Sequence, residues 1–523
     1  MVIDDAGRRQ AVSMLDLYKN AHNYKALTGE LPTQDIAILR MLLAVIYAVF
    51  IKIDATGRCV APDKVPDMFQ LWKSLWGRGN FQYEKIEQYL KFYEDRFFLF
   101  HPETPFFQVA GLRTKDGDTN PVTQIIADVP SRAVKRFFSN RLGREVGQLN
   151  FDEAARWLIN LHAWDYAGKK ASTVGGDPNG GGTGWLGKLG VVYLTGNSVF
   201  ETLLLNMVLV DDNTIIPLGS PCWAYDSKTP AKANVRPRGF VDLLTWQSRR
   251  VLLFENEGVV DGVLSSYGDV FDKENTFEEQ MSGWHISSEP SLKDKYIPNT
   301  LNRERSIWRD LSSLLPFTSE NIANIQPGVV RWRGSLQAEN AVDVDAVNIA
   351  VVGIEWGKNM GVIDELITDR LTFNANLLTD LGQHWLPHIL DALQSTDACI
   401  RVLGDLARDL AKSAGAYSED KKLMEAAGNA IKEEAYSFFD LPFRNWLASI
   451  SSICDDRDKR CAEWKAFVRD SILRMGTKLV SECADAALVG RDSNLNGPNV
   501  FSLFKSKVFK EIPTQTLEGG QDG

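Results

Sequence analysis

The stretch EDKKLMEAAGNAIKEEAYSFF, residues 419–439, decides how the C-terminal third of the chain is read. Leu423, Ala426, Ala427, Ala430, Ile431 and Phe438 recur there at a spacing that sets them along one broad helical face. Residues 377–393, 396–414 and 465–487 carry the same spacing with few breakers. The links between these segments are short, with polar or proline residues such as Ser418-Glu419-Asp420 and Leu441-Pro442. Four amphipathic helices on short links pack most simply as an antiparallel bundle. The sequence thus predicts an antiparallel four-helix bundle over residues 371–512 and a flexible tail at 513–523.

Toward the N-terminus the element types mix. Apolar spacing predicts helices over 34–51, 81–97 and 151–165. Residues 251–254 and 259–264, separated by an acidic, glycine-containing turn, read as a strand pair. Residues 348–353 are a β-branched-rich strand running into a turn. Stretches with turn chemistry at 114–120, 142–150, 173–190 and 227–239 are long for a compact domain, and loops of that length are usually functional or disordered. The expected fold class is α+β: a large mixed α/β domain with long loops, residues 1–370, followed by the helical bundle.

At about 150 residues per domain, 523 residues give two to four domains. A hydrophobic fraction of 44% supplies a large core and excludes disordered, collagenous and disulfide-scaffold classes. Lys and Arg number 58 against 68 Asp and Glu, a net charge of -10, which on the global count disfavours a dedicated nucleic-acid binder. The longest apolar run, residues 41–51 between Arg40 and Lys52, falls short of the roughly 20 residues that span a bilayer. With Pro32, Thr33 and Asp35 ahead of it, a buried helix is the better reading and no membrane contact is expected. The start of the sequence lacks a basic-then-apolar leader, and the six cysteines form no CxxC. Reduced thiols in a cytoplasmic protein, with no structural zinc, are expected.

Several tempting motifs lack an essential part. Gly182, Gly184 and Gly187 satisfy a dinucleotide fingerprint, but a polar, proline-containing stretch precedes them where a hydrophobic strand is required. The same run nearly spells a Walker A through Gly182, Gly187 and Lys188, yet Leu189 stands where a Ser or Thr must ligate Mg²⁺. His384 and His388 are four apart, but Trp385 replaces the glutamate of a metalloprotease helix, and two partly buried histidines are the plainer reading. No residue set makes a positive case for catalysis, and no cofactor is expected.

Positive charge is nevertheless concentrated. Residues 131–170 hold eight cations against four carboxylates, a local +4. Residues 227–250 hold six against Asp242 alone, a local +5. Basic loops beside glycine-rich ones are the footprint of phosphate-backbone contact, with ordinary solvated loop charge as the competing reading. The Gly180-Gly181-Gly182 run adds backbone that can approach a groove or phosphate closely, or can equally be a linker.

Five segments then carry a resemblance. They are His101-Pro102-Glu103-Thr104-Pro105-Phe106-Phe107-Gln108-Val109, Leu161-His162-Ala163-Trp164-Asp165-Tyr166-Ala167-Gly168-Lys169-Lys170, the stretch from Gly196 to Asn206, Leu244-Thr245-Trp246-Gln247-Ser248-Arg249-Arg250, and Leu441-Pro442-Phe443-Arg444-Asn445-Trp446-Leu447. In this order they resemble the CasA family, the large subunit of type I-E CRISPR Cascade surveillance complexes. The acidic–x–Pro–Trp–Ile segment usual at the family's start is not seen ahead of Met1-Val2-Ile3-Asp4-Asp5.

The resemblance implies a non-catalytic subunit that recognises the protospacer-adjacent motif (PAM) of double-stranded target DNA, largely through the minor groove. It implies help in starting R-loop formation and a landing surface for a helicase–nuclease effector, with other Cascade subunits and CRISPR RNA as partners. Carried over residue by residue, the mobile PAM loop corresponds to Phe137, Phe138, Asn140 and Arg141, and onward to about residue 149. The glycine loop falls within 175–184, with Gly175, Gly176, Gly180, Gly181 and Gly182 as its contacts. The minor-groove lysine corresponds to Lys273. The wedge turn maps onto Trp356-Gly357-Lys358-Asn359-Met360-Gly361, with Lys358, Asn359 and Met360 at its tip. Trp356 stands for the usual tyrosine and Met360 for the wedge glutamine. A thioether does not donate a hydrogen bond, but apolar side chains do wedge between base steps, so a purely steric wedge is expected. Two other classes stay open: a nucleotide-binding ATPase on the Gly182–Lys188 run, and a scaffold subunit without DNA contact.

Overall fold

Pro32 fixes the entry of α1 (Pro32–Phe50), whose residues from Ile36 to Ala48 bury almost without interruption. The computed structural model in which this helix lies describes residues 1–51, 64–129, 141, 143–315, 324–415, 421–450, 456–491 and 495–513. α1 is long and apolar enough to cross a membrane, yet 78% of that apolar window is buried inside the protein. Its one central charge, Arg40, is buried and pairs both guanidinium nitrogens with Glu279 at 2.8 Å, while a third bond reaches the Leu243 carbonyl. Removing one partner of such a pair would strand the other charge, at a cost of about 3–5 kcal/mol.

Two compact units divide the chain. The first comprises Met1–Arg305 and Ser319–Arg370, the second Ser306–Thr318 and Leu371–Gly523. In the first unit, α2 (Phe151–Trp164) buries Ala154, Trp157, Leu158, Leu161 and Trp164, and the Trp164 indole donates to the Thr33 carbonyl at 2.9 Å. β1 (Val191–Leu194) follows the glycine-rich segment. β2 (Arg249–Asn256) and β3 (Val259–Tyr267) form an antiparallel hairpin registered from Arg249–Tyr267 to Asn256–Val259. Its turn places Glu257 and Gly258 in the left-handed region, at φ 51° and 83°, the backbone that a tight antiparallel hairpin needs. β4 (Ala346–Trp356) and β5 (Ile363–Asn374) complete a sheet of order β5–β4–β1, with Ile349 opposite Leu194 and Val352 opposite Val191. Both hairpin strands and β4 are longer than the alternation predicted, because the polar ends still pair along the ladder.

The second unit is helical: α3 (Leu386–Ser413), α4 (Lys421–Ala448), α5 (Arg457–Ser481) and α6 (Gly497–Glu511), with α3 packing on each of the others. The helices differ from the expected segments. Residues 396–414 and the end of 377–393 are one helix, α3, whose Thr396 hydroxyl donates back to the Ala392 carbonyl at 2.7 Å and so needs no break. α4 runs straight through Leu441-Pro442, read as a link. α6 went unpredicted.

The expected face of α4 is corrected as well. Leu423 is 62% and Phe438 42% exposed, Ala426 and Ala430 are exposed, and the buried residues are Gly428, Ala435, Phe439, Phe443 and Leu447. The alanines carried no size signal, and the true seam depends on a glycine and three large side chains. Around it Trp464 packs on Phe439, Phe443, Trp446 and Phe467 and donates to the Thr396 hydroxyl at 3.0 Å. Trp308, from the Ser306–Thr318 segment, stacks on Phe443 and donates to Asp440 at 2.8 Å.

Candidate nucleic-acid interface

α2 ends at Asp165, a buried carboxylate on which the surrounding loops converge. Arg249, wholly buried at the start of β2, bonds its Oδ2 at 2.5 Å, and Lys170 approaches the same oxygen at 2.6 Å. Burial alone would raise the Asp165 carboxyl, but Lys170 and Arg249 outweigh it and hold the group below the usual carboxylate range. The remaining Arg249 hydrogens reach the carbonyls of Ser248 (2.8 Å), Tyr166 (3.2 Å) and Gly182 (2.8 Å). One guanidinium thus ties the helix end, the hairpin and the glycine-rich segment together. Lys170 also lies 3.8 Å over the Tyr166 ring.

The glycine-rich segment arcs away from this anchor and back to it. Asp177 caps the Asn179 amide at 2.8 Å and pairs with Lys232 at 2.9 Å, which binds the outer part of the arc, near Gly175 and Gly176, to the 227–239 loop. Gly180 and Gly181 lie against Tyr267 and Val270 of the hairpin's exit. Gly182 takes φ 72°, a left-handed turn that glycine allows, and the Gly184 amide returns to the Asp165 carbonyl at 2.8 Å. A three-residue 3₁₀ turn, Leu186–Lys188, then leads into strand β1 rather than into a helix. A P-loop delivers phosphates to a helix N-terminus, so the near-Walker pattern lacks its structural context as well as its hydroxyl.

The turn between β4 and β5 meets this arrangement at two points. The Trp356 indole donates to the Gly187 carbonyl at 2.6 Å, and the Ala167 amide donates to the Met360 carbonyl at 3.0 Å. Lys358, Asn359 and Met360 at the tip are exposed, Met360 by 44%. Asn359 and Met360 are both left-handed, at φ 56° and 53°. Asparagine tolerates that region; a long apolar side chain does so only at a cost of roughly 1 kcal/mol or more. Strain of this kind, held by neighbouring bonds, gathers at functional positions.

The other expected contacts divide. Phe137, Phe138 and Asn140 lie outside the described residues, as do Arg132, Lys135 and Arg136. Arg141 pairs with Glu153 and, at 3.8 Å, with Asp128, and lies over the Trp157 ring. Lys273 is half-buried in the segment facing Lys188.

The basic footprint needs correction. Within residues 227–250, Lys228 and Arg250 pair with Asp269, Lys232 with Asp177, Arg236 with Glu278 and Arg249 with Asp165, while Arg238 stacks on Tyr225. In the other segment Arg156 pairs with Glu30 and Asp152, and Lys170 with Asp165. For residues 227–250 the local count included only Asp242, and folding brings the partners from elsewhere. For 131–170, Asp152 and Asp165 were already counted, and Glu30 arrives from outside. What the reading missed was Asp165, Arg249 and Lys188. Two consecutive arginines at the head of an apolar strand were the available signal for burial.

Residues 1–475 match the family described as CRISPR-associated protein Cse1. The chain is 27% identical over 337 residues to a CasA/Cse1 protein of Thermus thermophilus. That match covers 64% of this chain and 62% of the relative, so it spans under two thirds of the relative's length. The crystal structure of Thermobifida fusca Cse1 superposes with a TM-score of 0.84 at 33% identity, over 98% of this chain and 97% of that one. A chain of a CRISPR RNA-guided surveillance complex has the same fold, with a TM-score of 0.71 at 17% identity over 97% of each chain.

Proposed function

The chain belongs to the CRISPR-associated Cse1 family, and from that premise we propose that it is the Cascade subunit that recognises the PAM of double-stranded target DNA. It reads the minor groove, wedges the duplex to start R-loop formation and helps recruit the helicase–nuclease, without catalysis of its own. The complex works in the cytoplasm, with the other Cascade subunits and CRISPR RNA as its partners. Residues 1–370 form the recognition domain, and 371–512 form an antiparallel four-helix bundle facing neighbouring subunits and the displaced strand.

The observation that carries the reading is the pair of bonds joining the exposed β4–β5 turn to the segment around the glycine run, Trp356 to Gly187 and Ala167 to Met360. A groove reader and a strand wedge must act on adjacent base pairs, and this connection keeps them in register. The minor groove separates chiefly A·T from G·C through the guanine amino group, so glycine backbone, Asn140 and Lys273 support a relaxed PAM choice. Gly175, Gly176, Gly180, Gly181 and Gly182 let that backbone approach closely, Phe137, Phe138, Asn140 and Arg141 make the PAM-loop contacts, and Lys358 and Asn359 flank Met360 at the wedge. Once the first pairs open, guide-RNA pairing supplies sequence specificity, as in other RNA-guided systems.

The test is a titration of the assembled complex, with and without this chain, against duplexes that differ only in the PAM. PAM-dependent binding should require the chain. Equal affinity for all duplexes in its presence would leave a scaffold role instead.

A further inference from the structure

We infer that Lys188, together with the backbone amides of residues 180–183 and the Thr183 hydroxyl, forms an oxyanion site that takes one phosphodiester group of the target duplex. The inference rests on the target-DNA reading above; it adds Lys188 and Thr183, outside the PAM-reading set, and gives the amides of the Gly180–Gly182 run a phosphate to bind.

Lys188 lies just beyond the glycine run, its Cε 3.9 Å from where a Cβ on Gly182 would stand. Its stem passes between aromatic rings, the ammonium 6.0 Å from the centre of Trp185 and 5.9 Å from that of Phe271. Among the described residues the ammonium has neither a hydrogen-bond partner nor an ion-pair partner. Burial lowers its pKa, and Lys273 and Arg249 add repulsion. Glu279, which bonds the Trp185 indole at 2.7 Å, is already committed to Arg40. Arg249 is committed to Asp165. Asp272 and Glu274 of the facing segment oppose the burial and repulsion only in part, and neither bonds the ammonium at a described atom. A largely buried ammonium without a direct ion-pair partner is costly, and an incoming anion offsets that cost.

Two independent features lie on the same short stretch of chain. Thr183 is 2% exposed, and its hydroxyl has no hydrogen-bond partner although it is buried. That oxygen lies 3.2 Å from where a Cβ on Gly187 would stand, on the stretch between the glycine run and Lys188. The amides of residues 180–183 donate no hydrogen bond to any described residue, whereas those of Asn179 and Gly184 on either side do. Successive free amides beside a cation suit a group with several acceptor oxygens at one centre, which is a phosphate. One phosphodiester needs neither the Walker hydroxyl nor a magnesium ion. Contacts of this type position a protein on DNA and carry no base information.

The experiment measures binding of the assembled complex to duplexes with a correct and an incorrect PAM across a salt series, for the native chain, Lys188→Met, Lys188→Arg and Lys273→Ala. Lys188→Met should weaken both duplexes equally, by about 5- to 10-fold, and lower the slope of log K against log salt by about one phosphate contact. Lys188→Arg should keep the slope, and Lys273→Ala should reduce PAM discrimination instead. An unchanged slope in Lys188→Met overturns the phosphate site and leaves PAM recognition standing. Absence of PAM discrimination by the native complex overturns the wider reading. Melting of the isolated chain guards against misfolding: Lys188→Met should match or exceed the native Tm, since it removes an unpaired buried charge, and a clear fall would make the lysine structural and overturn the site. Inorganic phosphate is the last probe. If it raises the native Tm while the duplex slopes stay equal, the site holds a free phosphate and the duplex assignment fails.

Discussion

The Trp356 indole donates to the carbonyl oxygen of Gly187 at 2.6 Å, and a Cβ on Gly187 would come within 3.0 Å of the same ring. Bond and close packing together fix the base of the β4–β5 turn against the end of the glycine-rich segment. Trp356→Phe keeps the ring and removes the donor. It should cost about 1 kcal/mol of stability, as a lost buried hydrogen bond does. Opening of the first target base pairs, followed by a fluorescent base analogue, should slow several-fold while the initial affinity for a PAM duplex holds. Unchanged opening would show that the turn keeps its place without this bond.

Met360 separates two effects that are usually confounded. Its side chain is the proposed wedge, and its left-handed backbone is strained. Met360→Gly removes both and should raise Tm, by about 0.5–1 kcal/mol in stability, because glycine adopts this backbone freely. Met360→Ala removes the wedge and keeps the strain. Both variants should lose strand opening at a correct PAM by roughly the same factor. Normal opening by Met360→Ala would sink the steric wedge.

What the sequence disclosed depended on whether the signal was local. The β2–β3 hairpin was legible because alternation flanks Glu257-Gly258, and α1 because its apolar run follows a proline at a helix start. Charge was not legible in this way. Residues 227–250 count as strongly basic only until Asp165, Asp177, Asp269 and Glu278 arrive from elsewhere in the chain. The face of α4 failed for a related reason: Ala426 and Ala430 fit a core or a surface equally well, and only the neighbouring helix decides. Of the proposed site, the glycine run and the 358–360 turn rest on resemblance. Lys188 does not, because it was weighed as part of a nucleotide motif it does not complete.

Helices α3 and α4 approach through glycines. A Cβ on Gly428 would lie 3.0 Å from the Gly404 carbonyl oxygen and 2.8 Å from Cγ of Arg408. Alanine there would gain helix propensity, but its Cβ is the very atom that meets these contacts, so Gly428→Ala already strains the helix pair. Gly428→Val should destabilise by about 1–3 kcal/mol through overpacking, read as a drop in Tm of the isolated chain. Adding Arg408→Ala should recover part of the loss by clearing the side-chain half of the clash. Equal Tm values for the valine variant and the native chain would mean that the helices can separate freely.

His162 gives the fold a specific response to acid. It is wholly buried on α2, and its Nε2 lies 2.8 Å from the Phe107 carbonyl, so that nitrogen carries the proton and donates. Burial lowers its pKa to about 4, against the pull of the Phe107 bond, while an unfolded histidine titrates near 6.5. The folded state therefore refuses a proton that the unfolded state accepts between these values. The stabilisation is complete above about pH 6.5 and is lost as pH falls toward 4, by roughly 3 kcal/mol over the interval. Melting curves from pH 7.5 to 4 should show the native chain losing stability faster than His162→Gln, whose neutral side chain has no proton to gain. Both chains also lose stability as other groups titrate, so the informative quantity is the difference between the two profiles. That difference should open below pH 6.5 and widen steadily; parallel profiles would show that the folded chain admits the proton without strain.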